Sequence, residues 1–124
     1  MDISTLVSKE RVIEIKHPAT EQDLGIRVTI MSINDDRMKS IRRRCINRRL
    51  ELEKRGKSLK ADDLEDNEIE LIIGAVTGWD WYGDIDFNGA KPEFNENNLR
   101  KVLSTFPWFK QQIDDAITDE KAFF

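Results

Sequence analysis

Cysteine and histidine supply many nucleophiles, general bases and metal ligands, and this chain of 124 residues has one of each. A single thiol, Cys45, cannot form an internal disulfide, which excludes a disulfide-stapled secreted scaffold. No CxxC, HExxH, Walker glycine loop or GxSxG is present. No apolar run approaches the ~18 residues a membrane span needs; the longest, around Ile72–Val76, is interrupted. Residues 1–30 lack the basic start and continuous apolar stretch of a signal peptide. A cytoplasmic protein without membrane contact is expected. Apolar residues are also scarce relative to charge, 39% against 35% charged, where an average domain has about 25% charged. One domain, 1–124, with a modest core is therefore expected.

Two strands are expected within residues 11–31. Ile13 and Ile15 alternate with Val12, Glu14 and Lys16, and Ile26, Val28 and Ile30 alternate with Arg27, Thr29 and Met31. Such period-two, β-branched patterns suit half-buried strands. The nine residues from His17 to Gly25 exceed a two-residue turn, so the pair reads as an antiparallel ribbon with a loose loop. Two strands alone are marginal and must lean on the helices or on another copy. Asn34 can cap a long basic helix over 35–56, with Asp35 and Asp36 at its positive end and Gly56 as its stop. Met38, Ile41, Cys45 and Leu52 share its apolar stripe, while Ile46 and Leu50 lie to one side. Ser58 to Ala61 reads as a polar connection.

A helix over 62–77 follows, with six carboxylates between Asp62 and Glu70. Ile69, Ile72, Ile73 and Val76 make one apolar face, and Leu64, Leu71 and Ala75 another. A helix apolar on two sides should be the buried one. Residues 78–94 read as an aromatic turn segment, and 95–118 as two short helices. Asn95 caps the first of these, and Pro107 opens the second, where its missing N–H is not needed. Residues 119–124 show no periodicity and read as a tail. The fold class is thus mainly α (α+β): four helices with an N-terminal two-stranded antiparallel β-ribbon.

Charge is segregated along the chain. Residues 37–60 hold eleven Lys or Arg against two Glu, a net of +9 in a chain of net −4, so the remainder carries −13. Arg37, Arg44, Arg48 and Arg55 fall on one line of the helix, and Arg42 and Arg49 on a second line beyond the apolar stripe. Three readings are open. The arginines pair with the acidic start of the next helix, they meet an acidic partner or a neighbouring copy, or they bind nucleic-acid phosphates. The acidic balance and the absence of aromatics among the arginines argue against nucleic acid.

Asp84-x-Asp86-x-Asn88-Gly89 matches the first six positions of a calcium loop. Position twelve is Asn95 rather than glutamate, and no helix leads in, so a turn held by Asx side chains, with Gly89 at positive φ, is the better reading. His17, beside Pro18 in a loop, reads as a surface residue. Cys45 is flanked by arginines that could lower its pKa, but it sits on the apolar stripe as a small hydrophobe. Trp79, Trp81, Tyr82, Phe87 and Phe94 concentrate aromatic area within sixteen residues, chiefly as anchors for that segment. Phe123-Phe124 reads as an exposed apolar pair on the tail.

Val76-x-Gly78-Trp79-Asp80, then Asp86-x-Asn88-Gly89-x-x-Pro92-x-Phe94-Asn95-x-x-Asn98, and after them Leu103, Pro107 and a last amphipathic helix, form an ordered series. In that order and spacing the final 49 residues resemble the tail assembly chaperones of long-tailed bacteriophages. Glu93 and Asn95 stand where that pattern leads one to expect an apolar residue and a serine, and the Trp81-Tyr82 pair is an addition. The resemblance implies a non-enzymatic protein, without cofactor or metal, that coats the long helical tape measure protein and self-associates. A longer form made by ribosomal frameshifting would recruit the tail tube protein. It also implies residence in the host cytoplasm and absence from the mature virion.

The candidate partner-binding or self-assembly residues are Arg37, Arg44, Arg48, Arg55, Phe123 and Phe124. The candidate structural anchors are Trp79, Asp80, Gly89, Phe94 and Pro107. The alternative function is a small nucleic-acid-binding or regulatory protein using the basic helix 37–60. A calcium-modulated binding module is a third.

Overall fold

The computed structural model describes residues 2–54 and 61–124, and the side chains of all of these except 61–64. Strands β1 (Arg11–Lys16), β2 (Asp23–Ile30) and β3 (Val76–Trp81) form one antiparallel sheet in that order. Helices α1 (Lys39–Lys54), α2 (Ala61–Ala75), α3 (Glu96–Thr105) and α4 (Pro107–Ile117) complete the α+β fold. Three 3₁₀ turns punctuate it at Ile3–Thr5, Asp36–Met38 and Glu120–Phe123.

The expected ribbon is present, with Ile13 facing Val28 and Val12 facing Thr29. A third strand joins it where the helix was expected to continue to 77 and an aromatic turn to begin at 78. The helix instead ends at Ala75, and Val76–Trp81 pairs with β2. The register runs Ile30–Val76, Thr29–Gly78, Val28–Trp79 and Ile26–Trp81, leaving Thr77 as an extra residue whose hydroxyl donates to the Thr29 carbonyl. This bulge lets a β-branched and aromatic run turn its indoles to the buried face. The third strand is also what makes the ribbon independently stable.

One face of the sheet is core. Ile15, Ile26, Val28, Ile30 and Trp81 pack with Ile69, Ile72 and Ala75 of α2, Leu99, Val102 and Leu103 of α3, and Phe109, Ile113 and Ile117 of α4. Helix α2 touches α1, α3, α4 and β3, so the helix with two apolar sides is the central one. The outer face carries a charge ladder. Glu14 lies beside Arg27 at 2.7 Å, Asp80 pairs with Arg27 in register, and the Tyr82 ring lies 4.2 Å from the Arg27 guanidinium.

Among the described residues, no strand lies on the outer edge of β1. There the Gln112 side-chain amide of α4 donates to the Lys16 carbonyl and accepts from the Lys16 N–H, both at 2.8 Å. One side chain thereby blunts an exposed edge. Near the start of β2, at the same end as Lys16, Gly25 (φ +83°) meets Gly83 backbone to backbone, with Gly83 N–H donating to the Gly25 carbonyl at 2.9 Å. A Cβ on Gly83 would lie 2.7 Å from the Gly25 Cα.

Candidate interaction surfaces

The basic helix begins one turn later than the sequence suggests. Asp35, rather than Asn34, accepts from Arg37 N–H and caps a 3₁₀ turn that leads into α1 at Lys39. Arg37 therefore leaves the arginine line. Its guanidinium binds Asp35 and Glu10, each at 3.0 Å, so its charge is already used inside the molecule. Asp35 answers in kind: hydrogen bonding from Arg37 lowers its pKa to about 2. Arg55 lies outside the described residues, as does the expected stop at Gly56.

Arg44 and Arg48 remain exposed on α1, with Arg43 nearby. The first of the three readings, pairing with the acidic start of the next helix, falls in part on Asp62 and Asp63, whose side chains lie outside the described residues. In α2, Glu70 pairs with Arg100 at 2.6 Å and Glu68 with Lys110 at 2.8 Å. Those carboxylates bind α2 to α3 and α4. Cys45 is 9% exposed, and burial raises its pKa, with Arg44 and Arg48 pulling weakly the other way. It is a packing residue.

Helix α1 rests on α2 and on the 3₁₀ turn before it. Ile46 and Leu50 consequently stay 58% and 50% exposed. Beside them a groove of about 420 Å³ runs between α1 and α2, with Ile33, Cys45, Ile46 and Leu71 in its walls and Arg42 and Arg49 among its lining. Two polar atoms of that lining, Arg42 Nε and Asn67 Oδ1, are buried without a hydrogen-bond partner. The seam between these helices is incompletely satisfied.

The aromatic segment 78–94 is tied down by its own motif residues. The Trp79 indole N–H donates to the Pro92 carbonyl at 3.1 Å, and the Trp79 ring meets Trp81 and Phe94 edge-on at 5.6 and 5.7 Å. Asn95 caps α3 by accepting from Asn98 N–H, and Pro107 occupies the first turn of α4. Asp80, expected among the anchors, is instead exposed on the outer sheet face. Gly89 sits in the turn at φ +83°, as the turn reading requires. The calcium-like loop is closed by a cation of the chain itself. The Lys91 ammonium donates to the Gly83 and Ile85 carbonyls and lies 3.7 Å from Asp86. His17 also has a structural task, its Nδ1 accepting from the N–H groups of Ala19 and Thr20.

The tail is the clearest correction. Residues 120–123 form a 3₁₀ turn and Phe123 is 2% exposed, so it is a core residue rather than a docking element. Glu120 accepts from the buried Ser32 hydroxyl at 2.6 Å and from Asn34, and Ile33 N–H donates to the Ile117 carbonyl. Phe124, 63% exposed, does face solvent. Around it the structure gathers Ile3, Leu6 and Val7, which are 80%, 54% and 67% exposed. The sequence reading passed over these N-terminal residues. Their only signal was three apolar side chains with no helix or strand to bury them.

These surfaces belong to a small α+β protein whose exposed chemistry is apolar patches rimmed by charge. Searches against protein-family models, curated proteins and solved structures find no match to the chain.

Proposed function

We propose that the chain is a non-enzymatic tail assembly chaperone of a long-tailed bacteriophage, acting in the host cytoplasm on the tape measure protein. The observation that carries this reading is α1. A sixteen-residue helix exposes Arg43, Arg44 and Arg48 together and, elsewhere on its turns, Ile46 and Leu50. A long helical client presents repeated apolar and charged faces, and an exposed helix carrying apolar and basic side chains is a matching element for them. The motif residues support the reading differently: Trp79, Pro92 and Phe94 hold one another, and Asn95 and Pro107 open the two helices that follow. Tail tube recruitment would belong to a frameshifted longer form.

The test is co-expression with the tape measure protein of the same phage. The client should be soluble only with the chain present, and Arg44→Glu/Arg48→Glu should return it to the pellet. A client equally insoluble with and without the chain overturns the proposal. The exposed Arg43, Arg44 and Arg48 favour a second reading, phosphate binding by a small nucleic-acid-binding protein. That reading requires a gel shift whose affinity falls steeply with salt.

A further inference from the structure

We propose that the groove between α1 and α2 is filled by residues 3–7 of a second copy of this chain. The inference gives a place to the self-association within the proposed function, but its test needs no client, so the two can fail separately.

The N-terminal segment is held in place without being buried. Asp2 caps its 3₁₀ turn by accepting from Ser4 N–H at 3.0 Å, and Lys9 N–H donates to the Phe123 carbonyl at 2.8 Å. The Ser8 hydroxyl donates to Asp35 at 3.1 Å. Yet the turn has no buried residue, and Ile3, Leu6 and Val7 all face water. An ordered arm that presents three aliphatic side chains outward is built to be covered.

The groove is its complement in shape and charge. Its walls are aliphatic, from Ile33, Ile46 and Leu71; its charges are Arg42, Arg49, which lies 3.6 Å from Glu53, and Glu68, which is taken by Lys110 at 2.8 Å. The arm is flanked mainly by carboxylates instead: Asp2 on the arm itself, with Asp36 and Glu120 beside it, while the one adjoining cation, Arg37, is already paired with Asp35 and Glu10. An acid-rimmed apolar arm and a base-rimmed apolar groove on one chain match each other across two copies, and like patches on two copies repel. The orphaned Arg42 Nε and Asn67 Oδ1 mark the groove as the place where the isolated chain's packing is unfinished. Ile33 lines the groove and Asn34 lies beside the arm, so the two patches are neighbours. Two copies can then each lend an arm to the other, an exchange that closes with two-fold symmetry.

The experiment is light scattering on the purified chain and two variants at about 100 µM, above the micromolar Kd reachable by a small interface. The parent should run at twice its 14.5 kDa chain mass. Leu6→Asp alters the arm and Ile46→Asp the groove, both at exposed positions, and each variant should keep the parent's circular-dichroism spectrum. Each should run as a monomer, because a carboxylate placed in an apolar contact weakens it by about 100-fold. Mixed together, the two variants should associate more than either alone, since the mixture restores one arm–groove contact. A monomeric parent, a variant that keeps the parent's mass, or a mixture no heavier than its parts overturns the proposal.

Discussion

Replacing Phe123 by alanine removes a benzyl group that is 2% exposed, one residue before the end of the chain. Buried Phe→Ala changes cost roughly 3–5 kcal/mol, less where the surroundings can collapse into the space. A terminal 3₁₀ turn can move inward more easily than a helix, so about 3 kcal/mol is the appropriate figure. With an m-value of about 1.5 kcal/mol/M for a chain of this size, the urea midpoint should fall by about 2 M. The melting temperature should fall by about 10 °C. Phe124→Ala, at a 63% exposed position, is the control and should stay within about 0.5 kcal/mol of the parent. Coincident fluorescence and circular-dichroism transitions would establish that the comparison is two-state. A Phe123→Ala loss below about 1 kcal/mol, or equal effects at the two positions, would refute the assignment of Phe123 to the core.

Gly83→Ala places a Cβ 2.7 Å from the Gly25 Cα; since both partners are backbone, destabilisation by about 1–3 kcal/mol is expected in urea titration, and no change would refute the close approach. Asp35, with its pKa lowered to about 2 by Arg37, contributes stability that is complete above its unfolded value near pH 4 and is lost as pH falls through about 2. Urea midpoints measured from pH 5 to pH 2 should therefore fall less steeply in Asp35→Asn than in the parent. Cys45, buried and with a raised pKa, should react with iodoacetamide far more slowly in the native protein than in urea; equal rates would place the thiol at the surface.

The parts of the fold legible in the sequence are those with a repeating pattern or a single decisive residue. Period-two alternation identified β1 and β2, and local chemistry identified Asn95 as a cap, Pro107 as a helix start and Gly89 as a positive-φ turn residue. Strand β3 was missed because Val76 continues the helical face of Ile69, Ile72 and Ile73, while Gly78 reads as a turn. The alternation of Trp79 and Trp81 around Asp80 carried the strand signal, but it needed β2 beside it to be recognised. Arg37 was misplaced because a 3₁₀ turn shifts the helical phase, and its partner Glu10 lies 27 residues away. Phe123 gave no pattern at all, since one residue cannot show a period. Its burial depends on Ser32, Asn34 and Lys9, which only the folded chain brings together.

The hydrogen bond from Lys9 to Phe123 also has a mechanical meaning. It brings the two ends of the chain to one corner, so a load applied between them acts first on this clasp and on the Phe123 side chain behind it. The strands are not sheared along their length at that stage. Tension there would load the final 3₁₀ turn before it loads the sheet. A polypeptide joined after Phe124 would leave from beside the N-terminal arm, and strain on one would be felt directly by the other.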